Sequence, residues 1–532
     1  MKLVSEIRLM PGFNDKDIIL AICKKCGVQK QYIKKFEIIK QGIDARKKPN
    51  IFFVLNIAVE FNEKTKNKTK NLPDVVVDHK GLKYNKITSD VSPVVVGFGP
   101  SGMFCALALA LAGLKPIVLE QGSCVEEREK DILEFWQNRK LNPYSNVQFG
   151  EGGAGTFSDG KLNTTLNNPY CKKVINEFIL NGAPNEIFYK NKAHIGTDNL
   201  KHIVKNIREK IIKNSGKIIF NANFYDFSLK NNQISSIFYK DIKTNKMFEI
   251  KTNKLILAIG HSAISSFELV KNKNVNLRQK PFAMGVRIEH KQSLINKAQY
   301  GIENPKNLPS ADYKIVEHLP NGRSVFSFCM CPGGQVVASS SEEGTIVTNG
   351  MSEFVRDKKH ANSALLVNVI PSDFESDDVL AGVEFQHKYE KLAFELAGKS
   401  YHAPCEMVKD FLSGNENPSA NFGRVLPTYL PSVEVCDLTK CLPDFVSESL
   451  KLALPKMNKK IQNFAHDENL LIGVESRSSA PVQIVRDEDF MSNIVGIFPA
   501  GEGAGYVGGI TSSMADGVKC AEKVIEFLKR QK

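Results

Sequence analysis

The sequence predicts an α/β fold built around a parallel sheet, and three short apolar stretches carry this prediction. Val94–Val96 ends at a glycine turn and is followed by an alanine- and leucine-rich segment, residues 103–112. Lys115–Leu119 ends in Glu120, and Lys254–Ile259 ends at another glycine. Buried parallel strands read as short continuous apolar runs, and helical segments between such runs indicate strand–helix–strand units.

The turn after the first stretch has the Gly-x-Gly-x-x-Gly spacing of a dinucleotide-binding loop. Gly97 permits the tight turn, Gly99 lets the backbone approach a pyrophosphate, and Gly102 lets the helix pack closely on the strand. The amides at the start of that helix, around Pro100 and Ser101, are predicted to face the phosphates. The alternative is a glycine turn without a nucleotide, and the flanking strand and helix argue against it.

An acidic residue at the end of the second stretch extends this motif. Glu120 lies 18 residues after the last glycine of the turn, close to the roughly 20 at which a carboxylate accepts from a ribose hydroxyl. Glu120 and the adjacent Gln121 are therefore predicted to bind the cofactor. An acid at this position favours an unphosphorylated ribose, hence FAD or NAD over NADP.

A second glycine-rich segment, Phe149–Lys161, combines glycines with hydroxyls and one lysine. Its backbone can lie against a flat ring or a phosphate. The apolar residues within it indicate burial and argue against the alternative of a flexible surface loop. The residues predicted to contact the cofactor here are Gly152, Gly153, Thr156 and Lys161, together with Arg128 from the preceding polar helical stretch.

The third apolar stretch closes with Gly260 and His261. In many dinucleotide-binding flavoproteins a strand of this kind returns beside the first one, so Gly260 is predicted to contact the cofactor. His261 is a candidate proton donor. The alternative is a hydrogen-bonded structural histidine at a strand end.

The C-terminal stretch has an apolar strand, a glycine–acid pair and a glycine pair that opens a helix. Gly501 and Glu502 follow the strand, and Gly508, Gly509 and Ile510 lead into the helix. FAD-binding domains typically end in this way. The acid is predicted to reach the ribityl chain. The helix amides are predicted to face the flavin pyrimidine ring, where they stabilise negative charge in the reduced cofactor.

Two further units are predicted around this core. The N-terminal one is a small α+β module with a helix capped by Asn14 and two β-rich runs, Phe36–Ala45 and Ile51–Phe61. A polar loop, Asn62–Pro73, follows it. The predicted division is an N-terminal module (1–90), a FAD-binding domain in two parts (91–270 and 471–532) and an inserted α+β substrate-side domain (271–470).

Two cysteine pairs require interpretation. Cys23 and Cys26 lie in the N-terminal helix, where zinc would need two further ligands, so they are predicted to be structural and no metal site is expected. Cys329 and Cys331 lie on an apolar run that reads as a strand, which places both thiols on one face, with Cα atoms about 6.6 Å apart. That geometry disfavours a disulfide. The two cysteines are predicted as catalytic residues that line the substrate side of the flavin, as polarisable walls or with one of them as an acid. The alternative is two small buried hydrophobes.

Composition narrows the class of protein. The chain of 532 residues has 42% hydrophobic residues and a net charge of +13, of which residues 1–90 contribute +9. Lysine and asparagine are enriched together, which favours an exposed loop over a nucleic-acid site. No apolar run is long enough to span a bilayer. Eleven scattered cysteines argue against a disulfide framework, so a cytoplasmic protein is expected.

Together these segments resemble the bacterial FAD-dependent dehydrogenases, also called NAD(FAD)-utilising dehydrogenases. The resemblance implies bound FAD, a domain of the glutathione-reductase type and oxidoreductase activity, and it names no substrate. One departure is that Ile264-Ser265 stands where the family pattern has an Arg-Asp pair. The stretches that carry the resemblance are Gly42–Lys48, Phe149–Leu162, Gly260–Ala263, Pro281–His290, Ser327–Gly334, Asn349–Met351, Gly473–Arg477 and Pro499–Gly509.

The expected function is flavin-dependent oxidoreduction, with hydride passing between flavin N5 and a small molecule or a nicotinamide. The sequence has no second Gly-x-Gly-x-x-Gly loop, so NAD(P)H either docks transiently as a co-substrate or is not the donor. The alternative is a flavin-containing RNA-modifying or nucleic-acid-binding protein that uses the basic N-terminal module. The substrate and the oligomeric state stay open.

Overall fold

The computed structural model of the chain describes residues 1–162 and 168–530. The N-terminal module is a three-stranded antiparallel sheet in the order β1-β3-β2 with one helix packed on it. Its core is separate from the rest of the protein. The elements are β1 (Lys2–Leu9), α1 (Asp15–Cys26), β2 (Ile33–Asp44), β3 (Phe52–Phe61) and the short α2 (Lys66–Thr69).

The predicted N-cap is confirmed, because the Asn14 side chain accepts hydrogen bonds from the amides of Lys16 and Asp17. The polar loop after β3 differs from the prediction, since it contains a 3₁₀ turn and α2. Cys23 and Cys26 are free thiols. No group of residues in the described part of the chain could hold a metal ion.

The segment that follows the module packs against the next domain. The Leu82 amide donates to Glu177 Oε1 at 2.6 Å, and the Asn176 side chain donates to the carbonyls of Asp78 and Lys80. The sheet of the module thus ends before residue 90, and the predicted boundary at 90 includes a strap that lies along the next domain.

The centre of the molecule is a five-stranded parallel sheet in the order β22-β10-β4-β5-β6, in which β22 is Ile497–Pro499. Helices cover it, and a three-stranded antiparallel sheet, β7-β8-β9, is attached to it. This confirms the predicted α/β class and the place of β10 beside β4. The elements are β4 (Val94–Val96), α3 (Pro100–Leu111), β5 (Ile117–Leu119), α4 (Val125–Asn138), α5 (Pro169–Leu180), α6 (Thr197–Lys213), β6 (Lys217–Ile219), β7 (Ala222–Lys230), β8 (Gln233–Asp241), β9 (Met247–Lys251), β10 (Leu255–Leu257) and α7 (Ile264–Asn272).

The inserted domain is built on a seven-stranded mixed sheet in the order β13-β14-β17-β12-β20-β18-β19, and a two-stranded ribbon, β11-β21, adjoins it. Its elements are β11 (Leu277–Gln279), β12 (Phe282–Lys291), α8 (Gln292–Tyr300), β13 (Val316–His318), β14 (Ser324–Cys331), β15 (Gln335–Ala338), β16 (Thr348–Met351), β17 (His360–Val369), α9 (Ala381–Leu396), β18 (Ala403–Met407), α10 (Val408–Ser413), β19 (Val433–Val435), α11 (Asp444–Lys460), β20 (Leu470–Glu475) and β21 (Val482–Ile484).

The predicted boundary at residue 470 is wrong. The apolar run Leu470–Glu475 forms β20, which pairs with β12 and β18 inside the sheet of the inserted domain. The chain returns to the parallel sheet only with β22 (Ile497–Pro499) and the final helix α12 (Ile510–Arg530). A buried strand has the same apolar pattern in either sheet, which is why the sequence alone misplaced this one.

The strand prediction for residues 325–335 is corrected at its end. β14 stops at Cys331, and its pairing with β17 shifts between Phe328 and Cys331 because Cys329 has a left-handed backbone, with φ of +41°. The bulge leaves Cys329 exposed and Cys331 buried. The regular alternation that was expected for the strand is interrupted here, and both thiols lie close enough to Lys161 and Arg287 to interact with their charges.

Two helices meet closely at the edge of the parallel sheet. A Cβ atom added to Gly517 of α12 would lie 2.1 Å from the Ser101 carbonyl oxygen of α3. This contact requires a glycine, and it fixes the starts of α3 and α12 relative to each other.

Gly517→Ala tests that contact, because the expected change in the free energy of unfolding has the opposite sign to the usual change for this substitution. In a helix interior alanine is normally more stable than glycine by roughly 0.5–1 kcal/mol. Here we expect a loss of about 1–3 kcal/mol in the free energy of unfolding, measured in urea, because the added methyl group overpacks the interface. The control Lys529→Ala, on an exposed position of α12, leaves it unchanged. A more stable Gly517→Ala protein would contradict the close packing.

Candidate active site

A cavity opens at the carboxyl ends of β4, β5 and β10, the edge at which parallel sheets of this kind bind ligands. It has a volume of about 160 Å³ and is partly open to solvent, so we call it a groove. The predicted site residues that line it are Gly97, Gly99, Pro100, Ser101, Glu120, Gln121, Gly153, Gly260, His261, Glu502, Gly509 and Ile510.

The glycine turn brings strand, helix and neighbouring strand into contact. Gly97 has φ of +96°, and a Cβ atom there would lie 2.3 Å from the Ala258 carbonyl oxygen. A Cβ atom on Gly102 would lie 2.0 Å from the Gly97 carbonyl oxygen. Both positions thus serve the packing of α3 on β4 and β10. Gly102 lies behind the cavity, in the place that its predicted packing role requires.

Glu120 organises three turns at once. Its buried carboxylate accepts hydrogen bonds from the amides of Phe98, Gly122 and Gly150 at 2.8, 2.9 and 3.0 Å. A carboxylate has about four acceptor positions, so one remains for a ligand in the cavity. The acid at the end of β5 therefore ties the first glycine turn to the second glycine-rich segment.

Two helices point their N-termini at this edge of the sheet. Gly99 caps α3, and Gly509 and Ile510 begin α12. The first amides of a helix have no acceptor within the helix and carry partial positive charge. Among the described residues of the lining, the charged ones are the two acids Glu120 and Glu502. These helix ends are therefore the source of positive potential for an anionic ligand.

His261 and Glu502 face each other across the cavity, with 3.8 Å between Nδ1 and Oε1. Burial lowers the pKa of His261 to about 4, and the charges of Arg477 and Lys280 add to that effect. Burial raises the pKa of Glu502 to about 7, against the opposing charge of Lys280. The histidine is therefore neutral at neutral pH. Its Nε2 is buried without a hydrogen-bond partner in the described protein.

Arg128 does not reach the cavity, contrary to prediction. It is fully buried and donates to the carbonyls of Asn146, Val147 and Glu151 at 2.8, 2.9 and 2.6 Å. Each nitrogen of the guanidinium therefore already has an acceptor in the loop. Arg128 holds that loop in shape, and because it is fully buried and does not line the cavity, a ligand there would not reach its remaining N–H groups.

Several other predicted contacts are also internal to the loops. A Cβ atom on Gly152 would lie 2.0 Å from Thr156 Oγ1, which itself donates to the Glu151 carbonyl. Gly501 packs on Ser101 and donates its amide to Asp516 at 2.7 Å. Gly152, Thr156 and Gly501 therefore shape the walls without lining the cavity. Gly508 is exposed just before α12.

Lys161 and the two cysteines form a separate polar cluster. Lys161 Nζ lies 2.8 Å from Asp159 Oδ2 and 3.9 Å from Cys331 Sγ. Burial lowers the pKa of Lys161 and the nearby Asp159 raises it, and the net effect is a raised pKa. The Cys331 thiol donates to the Cys329 carbonyl at 3.2 Å.

This cluster is braced from the inserted domain. The buried Arg287 pairs with Glu475 at 2.8 and 2.9 Å and donates to the Cys329 carbonyl at 2.8 Å. It also lies 3.9 Å from Cys331 Sγ. The bulge that separates the two cysteines is therefore held by a buried ion pair.

Part of the lining was not predicted. It includes residues from the start of β7, the loop before the second glycine segment and the turn after His261. These positions have no motif of their own and reach the cavity only because the chain folds back to the sheet edge. They are Gln148, Asn223, Phe224, Ser262, Ser266 and Ser513.

Comparison with known families gives this geometry a context. Residues 281–478 match a family model described as FAD-dependent protein, C-terminal domain-like, and residues 1–60 match a domain of unknown function. Over 516 residues the chain is 45% identical to an uncharacterized protein of Clostridium beijerinckii, and the match covers 95% of each. The chain belongs to this family of FAD-dependent proteins.

Similarity to solved structures is more distant. A glycerol-3-phosphate dehydrogenase from Bacillus halodurans, complexed with FAD, is 11% identical over 83% of this chain and 64% of its own length, with a TM-score of 0.37. The chain thus spans somewhat less than two thirds of that protein. The flavin-dependent brominase Bmp2 is 10% identical over 83% of this chain and 80% of its own, with a TM-score of 0.38.

The residues present fit FAD. A Cβ atom on Gly99 would have its nearest neighbour, Gly153 Cα, at 3.6 Å, and one on Gly260 would meet nothing within 4 Å. The backbone is therefore open to a ligand at both positions. Ser101 Oγ and His261 Nε2 are buried lining atoms without a partner among the described residues. A bound dinucleotide would supply partners for both, as buried polar atoms require.

Gly99→Val tests this fit. The apo fold has room for a Cβ atom at this position, so we expect a folded protein with normal circular dichroism. The side chain would fill the space for the pyrophosphate, so the affinity for FAD should fall at least about tenfold, or ~1.4 kcal/mol. Flavin absorbance relative to protein absorbance, and titration of the apoprotein with FAD, measure this.

Gly97→Ala is the matched comparison. Its methyl group would meet the Ala258 carbonyl oxygen, so this variant should lose stability as well as FAD. If Gly99→Val retains the full FAD content of the natural chain, the pyrophosphate does not lie at this turn.

Proposed function

We propose that this protein is a FAD-dependent oxidoreductase that transfers hydride between a small-molecule substrate and flavin N5. The observation that carries the proposal is the proximity of the Lys161 cluster to the start of α12. Thr511, in the first turn of α12, donates its hydroxyl to the Leu162 carbonyl at 2.9 Å, and Lys161 directly precedes Leu162. A cofactor held at that helix end would have a cation and a thiol beside it.

Bound FAD would supply the two-electron chemistry at N5, and the protein supplies orientation and electrostatics. The first amides of α12, at Ile510 and Thr511, present partial positive charge toward the ring end of the groove. They would stabilise negative charge on the reduced pyrimidine ring. Glu502 and Glu120 would hold the ribityl and ribose hydroxyls, because each lines the groove with carboxylate oxygens.

Lys161 is the best candidate for contact with the substrate. Its raised pKa keeps the ammonium protonated at neutral pH. With 30% of its side chain exposed, it has a donor free for an anionic group or for a proton transfer. Asp159 positions it. Substrates with a carboxylate or an oxygen that gains charge during reaction fit such a group.

The cysteines have smaller roles in this proposal. Cys331 is buried and donates its proton to the Cys329 carbonyl, so it forms a polarisable wall behind Lys161. Cys329 is exposed and held on the bulge. His261 is neutral, and its unpartnered Nε2 would take part in a hydrogen bond with the cofactor. The small molecule that exchanges hydride with the flavin could be NAD(P)H, which would then dock transiently as a co-substrate.

Anaerobic mixing of the FAD-loaded protein with candidate donors tests the reaction. We expect NADH, NADPH or a member of a panel of hydroxy and amino acids to bleach the flavin at a rate typical of enzyme turnover. Photoreduction serves as the control that the flavin itself can be reduced. A flavin that only light reduces would point to a structural cofactor.

Lys161→Met tests the proposed substrate contact. FAD content should be unchanged, since Lys161 lies outside the cavity lining, while reduction by the donor identified above should slow about 10²-fold or more. Stopped-flow absorbance measures the rate. Lys243→Met, which removes a surface ion pair with Glu127, is the matched control. Equal rates in the Lys161→Met protein and the natural chain would remove Lys161 from the mechanism.

A further inference from the structure

A second and larger cleft, of about 990 Å³, lies between the N-terminal module and the rest of the protein. The module contributes β2 and β3 to one wall. The other wall is formed by the segment 190–194, the end of α8 and the turn that holds Arg356. The FAD groove has other lining residues, so the two sites are distinct.

Three hydrogen-bond donors in this cleft are uncommitted. Arg356 is 7% exposed and uses Nε and Nη2 to bind Asp159 at 3.0 and 2.5 Å, which leaves Nη1 without an acceptor in the described chain. The Tyr300 hydroxyl is in a buried residue and has no hydrogen-bond partner among the described residues. Lys40 has neither a hydrogen bond nor an ion pair with any described residue. Arg356 and Tyr300 are both more than nine-tenths buried, yet each keeps a free donor in the lining of the cleft, where a ligand could accept from it.

One lining residue supplies a defined acceptor. His194 Nε2 lies 2.9 Å from the Phe354 carbonyl oxygen, which can only accept, so Nε2 carries the proton. Burial, with the charge of Arg356, lowers the pKa of His194 to about 4. The ring is neutral at neutral pH, and Nδ1 offers a lone pair for an O–H or N–H group of a ligand.

The backbone of the cleft is held in an unfavourable conformation at two charged residues. Arg356 has φ of +55° and Glu6 has φ of +53°, in the region that glycine normally occupies. The Arg356 carbonyl accepts from Ser310 Oγ at 2.7 Å and packs so closely on Gly333 that a Cβ atom there would lie 1.9 Å away. Surrounding structure thus enforces the position of Arg356. Strain of this kind is typically retained at binding sites.

The charge of the lining favours an anion. Lys40, Lys190, Lys192 and Arg356 outnumber Glu6 and Asp312. Lys190 and Lys192 are neutralised by Glu186 and Asp312, with 2.6 Å between the charged atoms of each pair. On the module side, Lys40 and Glu6 have no ion pair among the described residues. Arg356 shares Asp159 with Lys161, so one carboxylate there balances two cations.

We propose that this cleft binds a small anionic metabolite. Its carboxylate or phosphate would lie on the donors of Arg356, Tyr300 and Lys40, and a hydroxyl or amino hydrogen would be donated to His194. The site is separate from the flavin groove and does not depend on the function proposed for it. The two sites share Asp159, which binds Arg356 in the cleft and Lys161 beside α12.

Equilibrium binding to the FAD-saturated full chain tests this proposal, because bound FAD fills the other site that attracts phosphate. The probes are inorganic phosphate and malonate, each titrated calorimetrically. Saturable binding of phosphate alone would assign a phosphate ligand, and binding of malonate alone would assign a carboxylate. Saturable binding of both would support an anion site of either chemistry.

Two mild variants locate the bound probe. Tyr300→Phe removes only the hydroxyl, and Lys40→Ala removes an exposed amine, so both should fold. Each should weaken binding about tenfold, whereas Lys47→Ala, a neighbouring lysine outside the cleft, should not change it. Absence of saturable binding for both probes, or equal binding in all three variants, would overturn the proposal.

Discussion

The close contact between the starts of α3 and α12 is the constraint on which the FAD site depends. Gly102 brings α3 onto β4, and Gly517 brings α12 onto Ser101. Without these contacts the two helix ends could not converge on one edge of the sheet. Their convergence matters because no described lysine or arginine lines the groove. The charge of a pyrophosphate must therefore be balanced by backbone amides, whose direction is fixed by the packing of the helices.

Two buried charged residues hold the loops around that edge. Glu120 accepts from three amides, and Arg128 donates to three carbonyls. In each case one side chain satisfies several backbone groups that would otherwise be buried without partners. The second glycine-rich segment depends on both. Removal of either side chain would leave several backbone polar groups buried without partners. Its effect on cofactor binding would therefore act through the shape of the loop.

The sequence was sufficient for the strand–turn–helix unit at the glycine turn, for the place of β10 beside β4 and for twelve of the residues that line the groove. It was insufficient where contacts with distant parts of the chain determine the direction of a side chain or the pairing of a strand. Arg128 and Thr156 have the residue types of a binding loop but face their own segment. Cys329 lies on a bulge that no local pattern indicates. β20 has the apolar pattern of a strand that fits either sheet. The cleft beside the N-terminal module was not predicted, because its walls come from parts of the chain that are far apart in sequence.

Asp159 connects the two regions that have free cationic groups. Burial would raise its pKa, but Lys161 and Arg356 hold the pKa well below its ordinary value, so the carboxylate is charged. One buried anion then serves two cations, and both of them contact its Oδ2 atom. At such distances in a protein interior, charges interact by several kcal/mol. A change in the charge around Arg356 therefore alters the balance at Lys161 without any movement of the backbone. The fold thus offers an electrostatic route, through a single side chain, between the cleft of the N-terminal module and the end of the flavin groove.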